Sequence, residues 1–147
     1  MSNISERLFH KINETLDNLK DFVLETWKGL DLNYSEAFIL YIIADSEKAD
    51  EPIHKSQIAK RMRLTKAAVT QFCNKLQKRG YITSYIAEDN KKNHYLQLDD
   101  NLRKSIMARC DIMNNNLQRF VAKVGEENIV IFLELLNEFD KSLEVIL

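Results

Sequence analysis

Four residues that break regular structure divide this sequence into long segments with helical periodicity. Among 147 residues there are three glycines and one proline, and Gly29, Pro52, Gly80 and Gly125 each lie where a periodic apolar segment ends or begins. Because glycine and proline are the strongest local interruptions of helices, a chain with so few of them can turn at few places. The sequence therefore predicts a mainly α-helical protein in which residues 1–147 form a single domain.

The chain begins with a pattern for two helices. From Leu8 to Val23 the apolar residues recur at steps of three and four, which predicts one long amphipathic helix that ends near the first glycine. Asn33 and Glu36 have the spacing of a capping box and mark the start of a second helix. The run from Ala37 to Ala44 is apolar on every side. A helix without a polar face is expected in the centre of a fold.

The middle of the chain has the pattern of two helices followed by a β-hairpin. A short helix from Ser56 to Met62 and a longer one from Thr65 to Arg79 are separated by a tight turn. The segments YITSYIA and HYLQL are rich in aromatic and β-branched residues, alternate with a period of two, and flank the polar stretch EDNKKN. This order predicts a winged helix-turn-helix lobe over residues 53–99, with a small β-hairpin as the wing.

Helical spacing returns after residue 100 and is interrupted at Gly125. The apolar residues on both sides of this glycine recur at alternating steps of three and four, as in coiled-coil seams. A final helix this apolar has no evident partner within so small a domain. We therefore expect the helical regions 1–30 and 100–147 to bury one another across a homodimer interface. The alternative is that they close the core of a monomer.

Acidic residues are absent between Glu51 and Glu88. This acid-free segment, Pro52 to Ala87, carries eight basic residues, whereas the rest of the chain has 13 basic and 22 acidic ones. A confined positive field favours a polyanion, because each phosphate that a protein neutralises releases condensed counterions. Double-stranded DNA is therefore the expected partner. The alternative is a solvated basic surface that binds nothing.

The second helix of a helix-turn-helix is presented to the major groove of DNA. Its outward side chains can reach base edges, and amides such as those of Gln71 and Asn74 can pair with adenine. Basic residues nearby fix the register through phosphates without reading sequence. The predicted base-reading residues are Lys66, Ala67, Thr70, Gln71 and Asn74. The predicted phosphate contacts are Lys55, Lys60, Arg61, Arg63 and Lys75, together with Lys91 and Lys92 at the tip of the wing.

The run SQIAKRMRLTKAAVTQFCNKLQKRGYI, from Ser56 to Ile82, resembles the DNA-binding core of MarR-type transcriptional regulators. The shared features are Ile58 and Ala59 in the first helix, Thr65 as the cap of the second, AAVTQ within it and the closing GYI. The resemblance implies a homodimer that binds a pseudo-palindromic operator, usually as a repressor, and often releases DNA when an effector acts. The family often has arginine at the position of Gln71, so the expected preference here changes from guanine to adenine.

Two groups of residues are candidates for sensing such an effector. Trp27, Tyr34, Phe38 and Tyr41 lie where relatives bind small aromatic effectors, so they form the candidate effector pocket. The alternative is that these residues simply belong to the core. Cys73 lies on the inward side of the DNA-reading helix, where oxidation would displace that helix. The alternative is that Cys73 is a small buried hydrophobe.

Other classes of protein find little support in the sequence. The histidines His10, His54 and His94 fall in three separate elements, so no metal site and no cofactor are expected. No glycine-rich phosphate loop and no paired nucleophile and base are present, so an enzyme is not expected. The charged N-terminus resembles neither a signal peptide nor a membrane anchor, so a cytoplasmic protein is expected. The second functional hypothesis is a winged-helix module that binds another protein through its basic face.

Overall fold

The computed structural model describes residues 3–88 and 94–144, and it is mainly α-helical with one β-hairpin. The predicted fold class is therefore confirmed. The elements in chain order are α1 (Ile4–Thr26), α2 (Tyr34–Lys48), α3 (Lys55–Met62), α4 (Lys66–Lys78), β1 (Ile82–Ile86), β2 (His94–Leu98), α5 (Arg103–Val124) and α6 (Glu126–Ser142).

The chain divides into two compact units, residues 1–110 and 111–147. The first unit contains α1 to α4, the hairpin and the N-terminal part of α5, and the second contains the rest of α5 and α6. The predicted DNA-binding lobe, residues 53–99, lies within the first unit. Among the described residues, none of the helices combines the length and the apolar character needed to span a lipid bilayer.

Helix α2 lies at the centre of the first unit, as its apolar sequence predicts. Six of its side chains are completely buried, and it contacts α1, α4 and β2. The predicted capping box is present, because Asn33 Oδ1 accepts a hydrogen bond from Glu36 N at 2.8 Å and Glu36 Oε1 accepts one from Asn33 N at 3.1 Å. The six buried residues are Ala37, Ile39, Leu40, Ile42, Ile43 and Ala44.

Helices α3 and α4 form the predicted helix-turn-helix. Arg63 ends α3 in the left-handed region, with φ of 55°, and this allows the chain to reverse within a few residues. The Thr65 hydroxyl then caps α4 by accepting a hydrogen bond from Ala68 N at 3.1 Å. Val69 and Leu76 on the opposite side of α4 are completely buried. Burial of this side fixes which face of α4 remains exposed.

The hairpin pairs β1 and β2 antiparallel, with Ile82 opposite Leu98 at one end and Ile86 opposite His94 at the other. Ile53, just before α3, forms a bridge to Leu96 on the free edge of β2. The wing is thus joined to the start of the helix-turn-helix. The predicted tip contacts, Lys91 and Lys92, lie outside the described residues.

A charged junction connects α2, the wing and α5. Glu47 near the end of α2 accepts hydrogen bonds from Leu98 N at 2.8 Å and from Arg103 Nε at 2.9 Å. Arg103 also donates to Leu98 O at 2.7 Å and to Asp100. The hydrogen bonds to Glu47 and Asp100 raise the pKa of Arg103 above its ordinary value, so the guanidinium remains charged.

Large apolar side chains are exposed in both units. In the first unit they lie along α1, where Val23 is the buried residue of the helix, and at Ile86 of β1. In the second unit α6 has no buried residue. Monomeric soluble proteins rarely expose large groups of neighbouring apolar side chains. The exposed residues of α1 are Ile4, Leu8, Phe9, Leu16, Leu19 and Leu24, and those of the second unit are Ile112, Leu117, Phe120, Val130, Ile131, Phe132, Leu133, Leu135 and Leu143.

We expect Glu47→Ala to lower the free energy of unfolding by about 1.5 to 3 kcal/mol, because it removes the acceptor of Arg103 and of Leu98 N. The matched control is Glu25→Ala, which removes an exposed carboxylate 3.8 Å from Lys28 and should change stability little. Equilibrium unfolding in urea measures both variants. Equal losses in the two variants would contradict the role assigned to Glu47.

Candidate nucleic-acid interface

The exposed face of α4 carries the five residues expected to read bases. Four of them are exposed and Thr70 is half-buried. At 100° of rotation per residue, the five lie within an arc of about 140° on the helix surface. Amide, hydroxyl, ammonium and methyl groups are therefore presented on one side, which is the side that faces DNA in a helix-turn-helix. The four exposed residues are Lys66, Ala67, Gln71 and Asn74.

Basic side chains surround this face. Lys60, Arg63 and Lys75 are exposed, and Lys55 is half-buried at the start of α3. Arg61 lies 3.8 Å from Asp45 of α2, but about half of each side chain is exposed, so this ion pair is weak. A phosphate can therefore compete with Asp45 for the Arg61 guanidinium.

Arg79 lies directly after α4 and belongs to the acid-free segment. Its guanidinium binds backbone carbonyls of the protein, which distinguishes it from a phosphate ligand. Its Nη1 donates to Asp31 O at 2.9 Å and its Nη2 donates to Leu30 O at 2.8 Å. Its guanidinium also lies 5.1 Å from the centre of the Tyr81 ring. The charge count of the segment includes Arg79, although these contacts join it to the loop between α1 and α2. No local pattern indicates this, because its partners are 48 and 49 residues away in the chain.

Hydrogen bonds and ring contacts position the wing beside α4. Gln77 Nε2 donates to Ser84 Oγ at 3.2 Å, which joins α4 to β1. Tyr85 and Tyr95 face each other across the strands, with ring centres 5.7 Å apart. His54 lies 6.1 Å from the Tyr95 ring, so the start of α3 also contacts the wing. These contacts therefore fix the position of the wing relative to the recognition helix.

The start of α3 is held more firmly than a histidine cap suggests. The His54 backbone N–H donates to Gln57 Oε1 at 3.0 Å, and the Ser56 hydroxyl lies 2.6 Å from His54 Nδ1. The Gln57 contact is the N3 part of a capping box, which satisfies the N–H of the N-cap residue His54.

The aromatic residues of the candidate effector pocket lie along α2 and at the end of α1. Tyr34 stacks on Phe38, and Phe38 stacks on Tyr41, with ring centres 6.0 Å apart in both pairs. The three rings are half-buried, whereas Trp27 is buried. An aromatic row with partly exposed faces could accept a flat apolar ligand.

The cysteine and histidine side chains bear on two other kinds of sensing, thiol oxidation and metal binding. The thiols of Cys73 and Cys110 are buried, and burial raises the pKa of the Cys73 thiol to about 11, against a smaller lowering by Lys55. Within residues 3–88 and 94–144, no group of three or more His, Cys, Asp or Glu side chains has a geometry that could hold a metal ion.

Comparison with known proteins gives one match to a family and several to solved folds. The sequence profile of the MarR family matches residues 32–94. The HTH-type transcriptional regulator PchR of Bacillus subtilis (strain 168) is 48% identical over 48 residues, which are 33% of this chain. The match spans 28% of the length of PchR.

Three solved structures have the same fold over nearly the whole chain. FabT of Streptococcus pneumoniae, solved in complex with DNA, has a TM-score of 0.77 at 19% identity, covering 95% of this chain and 99% of FabT. S. aureus MepR in a DNA-binding conformation has a TM-score of 0.72 at 19% identity, covering 97% and 100%. The transcriptional regulator BldR of Sulfolobus solfataricus has a TM-score of 0.65 at 20% identity, also covering 97% and 100%. With its winged helix-turn-helix and the match across residues 32–94, the chain is similar to the MarR family.

Proposed function

We propose that this protein is a sequence-specific, DNA-binding transcriptional regulator that acts as a homodimeric repressor on a pseudo-palindromic operator. The observation that carries the proposal is the exposed face of α4, where hydrogen-bonding side chains lie within a segment of eight basic residues and no acidic ones. The DNA complexes of FabT and of MepR support the same use of the shared fold. A repressor of this kind acts on the chromosome and hence in the cytoplasm.

The contacts to DNA divide into two classes in this proposal. Thr70, Gln71 and Asn74, with Lys66 and Ala67, read base edges in the major groove. The surrounding cations bind phosphates and contribute affinity that does not depend on sequence. The phosphate class consists of Lys55, Lys60, Arg61, Arg63 and Lys75, with Lys91 and Lys92 of the wing.

A second copy of the chain covers the exposed apolar surfaces in this proposal. α1 leaves six large apolar side chains exposed, and the described residues of the second unit leave nine. Burying such surfaces is the main driving force for protein association. A two-fold dimer would present two α4 helices to successive half-sites, which matches the palindromy of the operator. A solution mass equal to one chain, 17.2 kDa, would contradict this part of the proposal.

The half-buried rings of Tyr34, Phe38 and Tyr41 support regulation by a small aromatic effector. A ligand that inserts against Tyr34, Phe38 and Tyr41 would bear on α2, which contacts both α1 and α4. Any change in the angle between the two copies of α4 would spoil their match to successive half-sites.

Thiol oxidation at Cys73 has less support as the regulatory signal. The thiolate is the reactive form of cysteine, and a pKa of about 11 leaves the Cys73 thiol protonated at neutral pH. The side chain is also completely buried. The proposed repressor therefore does not use Cys73 as a direct oxidant sensor.

Selection of random duplex DNA on the purified protein tests the proposed function. We expect a two-fold symmetric consensus that binds about 10³-fold or more tightly than a scrambled duplex, as specific regulators do. Equal and steeply salt-dependent binding of both duplexes would contradict the proposal. That result would favour a basic surface used on another protein.

Gln71→Ala should relax the preference at one base position of the selected site by about 1 to 3 kcal/mol, because a bidentate contact to a base is lost. Lys60→Ala should instead weaken the consensus and the scrambled duplex alike and reduce the salt slope by about one. Lys123→Ala, outside the acid-free segment, is the control and should change neither quantity. Titrations against single-base variants at several salt concentrations measure all three. Uniform loss in both Gln71→Ala and Lys60→Ala would refute the division of roles.

The buried thiol of Cys73 should react slowly in the native protein. In a Cys110→Ala background, we expect a disulfide reagent at pH 8 to label Cys73 far faster in urea than in buffer, because burial and the raised pKa protect the thiol. Since the protonated form is favoured in the folded state, this contribution to stability is fully present below pH 9 and is lost as the pH rises towards about 11. Cys73→Ala should remove that part of the pH dependence. Rapid labelling of the native protein would restore the redox hypothesis.

A further inference from the structure

The recognition helix α4 is held at its C-terminal end by a side chain that contacts a distant loop. Arg79, the residue after α4, donates from its two terminal nitrogens to the carbonyls of Asp31 and Leu30, at 2.9 and 2.8 Å. Those carbonyls belong to the loop between α1 and α2. The planar fork of arginine suits such a paired contact, which the single ammonium of lysine cannot reproduce.

Two further groups complete this contact. The Tyr81 hydroxyl donates to the same Leu30 carbonyl at 2.8 Å, and its ring lies beneath the Arg79 guanidinium. Glu36 Oε2 lies 3.8 Å from Arg79 Nη1, is buried, and accepts no hydrogen bond within the described residues. A buried carboxylate is costly without a cation, so Glu36 favours the observed position of Arg79.

We propose that Arg79 is a positioning residue for DNA recognition, which sets the direction of α4 relative to α1 and α2 and makes no phosphate contact. Base readout needs donor and acceptor atoms within hydrogen-bonding distance of base edges, so a small tilt of α4 would break several contacts together. Phosphate contacts from long, flexible lysines tolerate such a tilt. Loss of the Arg79 contact should therefore reduce specific binding and spare nonspecific binding. This inference rests on the proposed sequence-specific binding of DNA.

Two substitutions of Arg79 distinguish positioning from phosphate binding. Arg79→Lys keeps the charge but loses the paired contact, and Arg79→Ala loses both. We expect both variants to bind the selected consensus about tenfold more weakly, equivalent to about 1.4 kcal/mol, with unchanged affinity for a scrambled duplex and an unchanged salt slope. Lys78→Ala, an exposed cation at the same end of α4, is the matched control. It should leave the ratio of the two affinities at the wild-type value.

Tyr81→Phe provides an independent test, because it removes one hydrogen bond to Leu30 O and keeps the ring and the charge. We expect a loss of roughly two- to fivefold on the consensus duplex alone, in line with a single neutral hydrogen bond. Thermal unfolding of every variant identifies any that fail to fold. If Arg79→Ala does not fold, Arg79→Lys and Tyr81→Phe decide the question, because both keep the size of the side chain.

The outcomes separate this inference from the proposed function. If Arg79→Lys matches the wild type while Arg79→Ala weakens both duplexes and lowers the salt slope, Arg79 is a phosphate contact and the inference is wrong. Wild-type affinities in both Arg79 variants would also overturn it, and in either case the proposed function stands. If the wild-type protein itself prefers no duplex, the proposed function fails, and the inference fails with it.

Discussion

The burial of α2 is the constraint on which the rest of the first unit depends. A helix with six fully buried side chains must be covered on all sides, and α1, α4 and β2 contact it. Its ends carry the two carboxylates of Glu36 and Glu47, each beside an arginine from another element. Arg79 approaches from the end of α4, and Arg103 from the start of α5. Packing against α2 thus determines where the neighbouring elements lie. The ion pairs of Glu36 and Glu47 help to orient the end of α4 and the start of α5.

The fold was largely predictable because its signals are local. Helical periodicity, the capping box at Asn33 and the cap at Thr65 each depend on residues three or four positions apart, and each is present. The apolar periodicity from Leu8 did not give the start of α1: the helix begins one turn earlier, at Ile4, because Asn3 caps it by accepting a hydrogen bond from Glu6 N. The apolar pattern alone does not contain that polar signal.

The exposed face of the candidate site was predictable from the sequence, but the long-range hydrogen bonds that support it were not. Periodicity predicts which face of α4 is exposed, since Val69 and Leu76 must be buried. It cannot predict the contacts of Arg79 with the loop after α1 or of Arg103 with Glu47. These partners lie 48 to 56 residues away and are brought near only by the packing around α2. Counting charges along the chain therefore includes Arg79 in the basic segment, while its hydrogen bonds join it to the protein backbone. A charge pattern along the sequence indicates whether the binding partner is an anion or a cation. Only the fold shows which charged side chains are free of protein contacts and can bind that partner.

Specificity in such a protein depends more on placement than on the number of cations. Phosphates are alike at every base pair, so a further lysine strengthens the correct and the incorrect site equally. Under the proposed function, discrimination is left to a few side chains on α4, each worth about 1 to 3 kcal/mol, and only if its atoms are in hydrogen-bonding position. The orientation of α4, a helix of 13 residues on the protein surface, is not fixed by the helix itself. This helix needs contacts to the buried helix at its back and to the loop at its end, and under the proposed function these contacts make the packing around α2 part of the recognition of DNA.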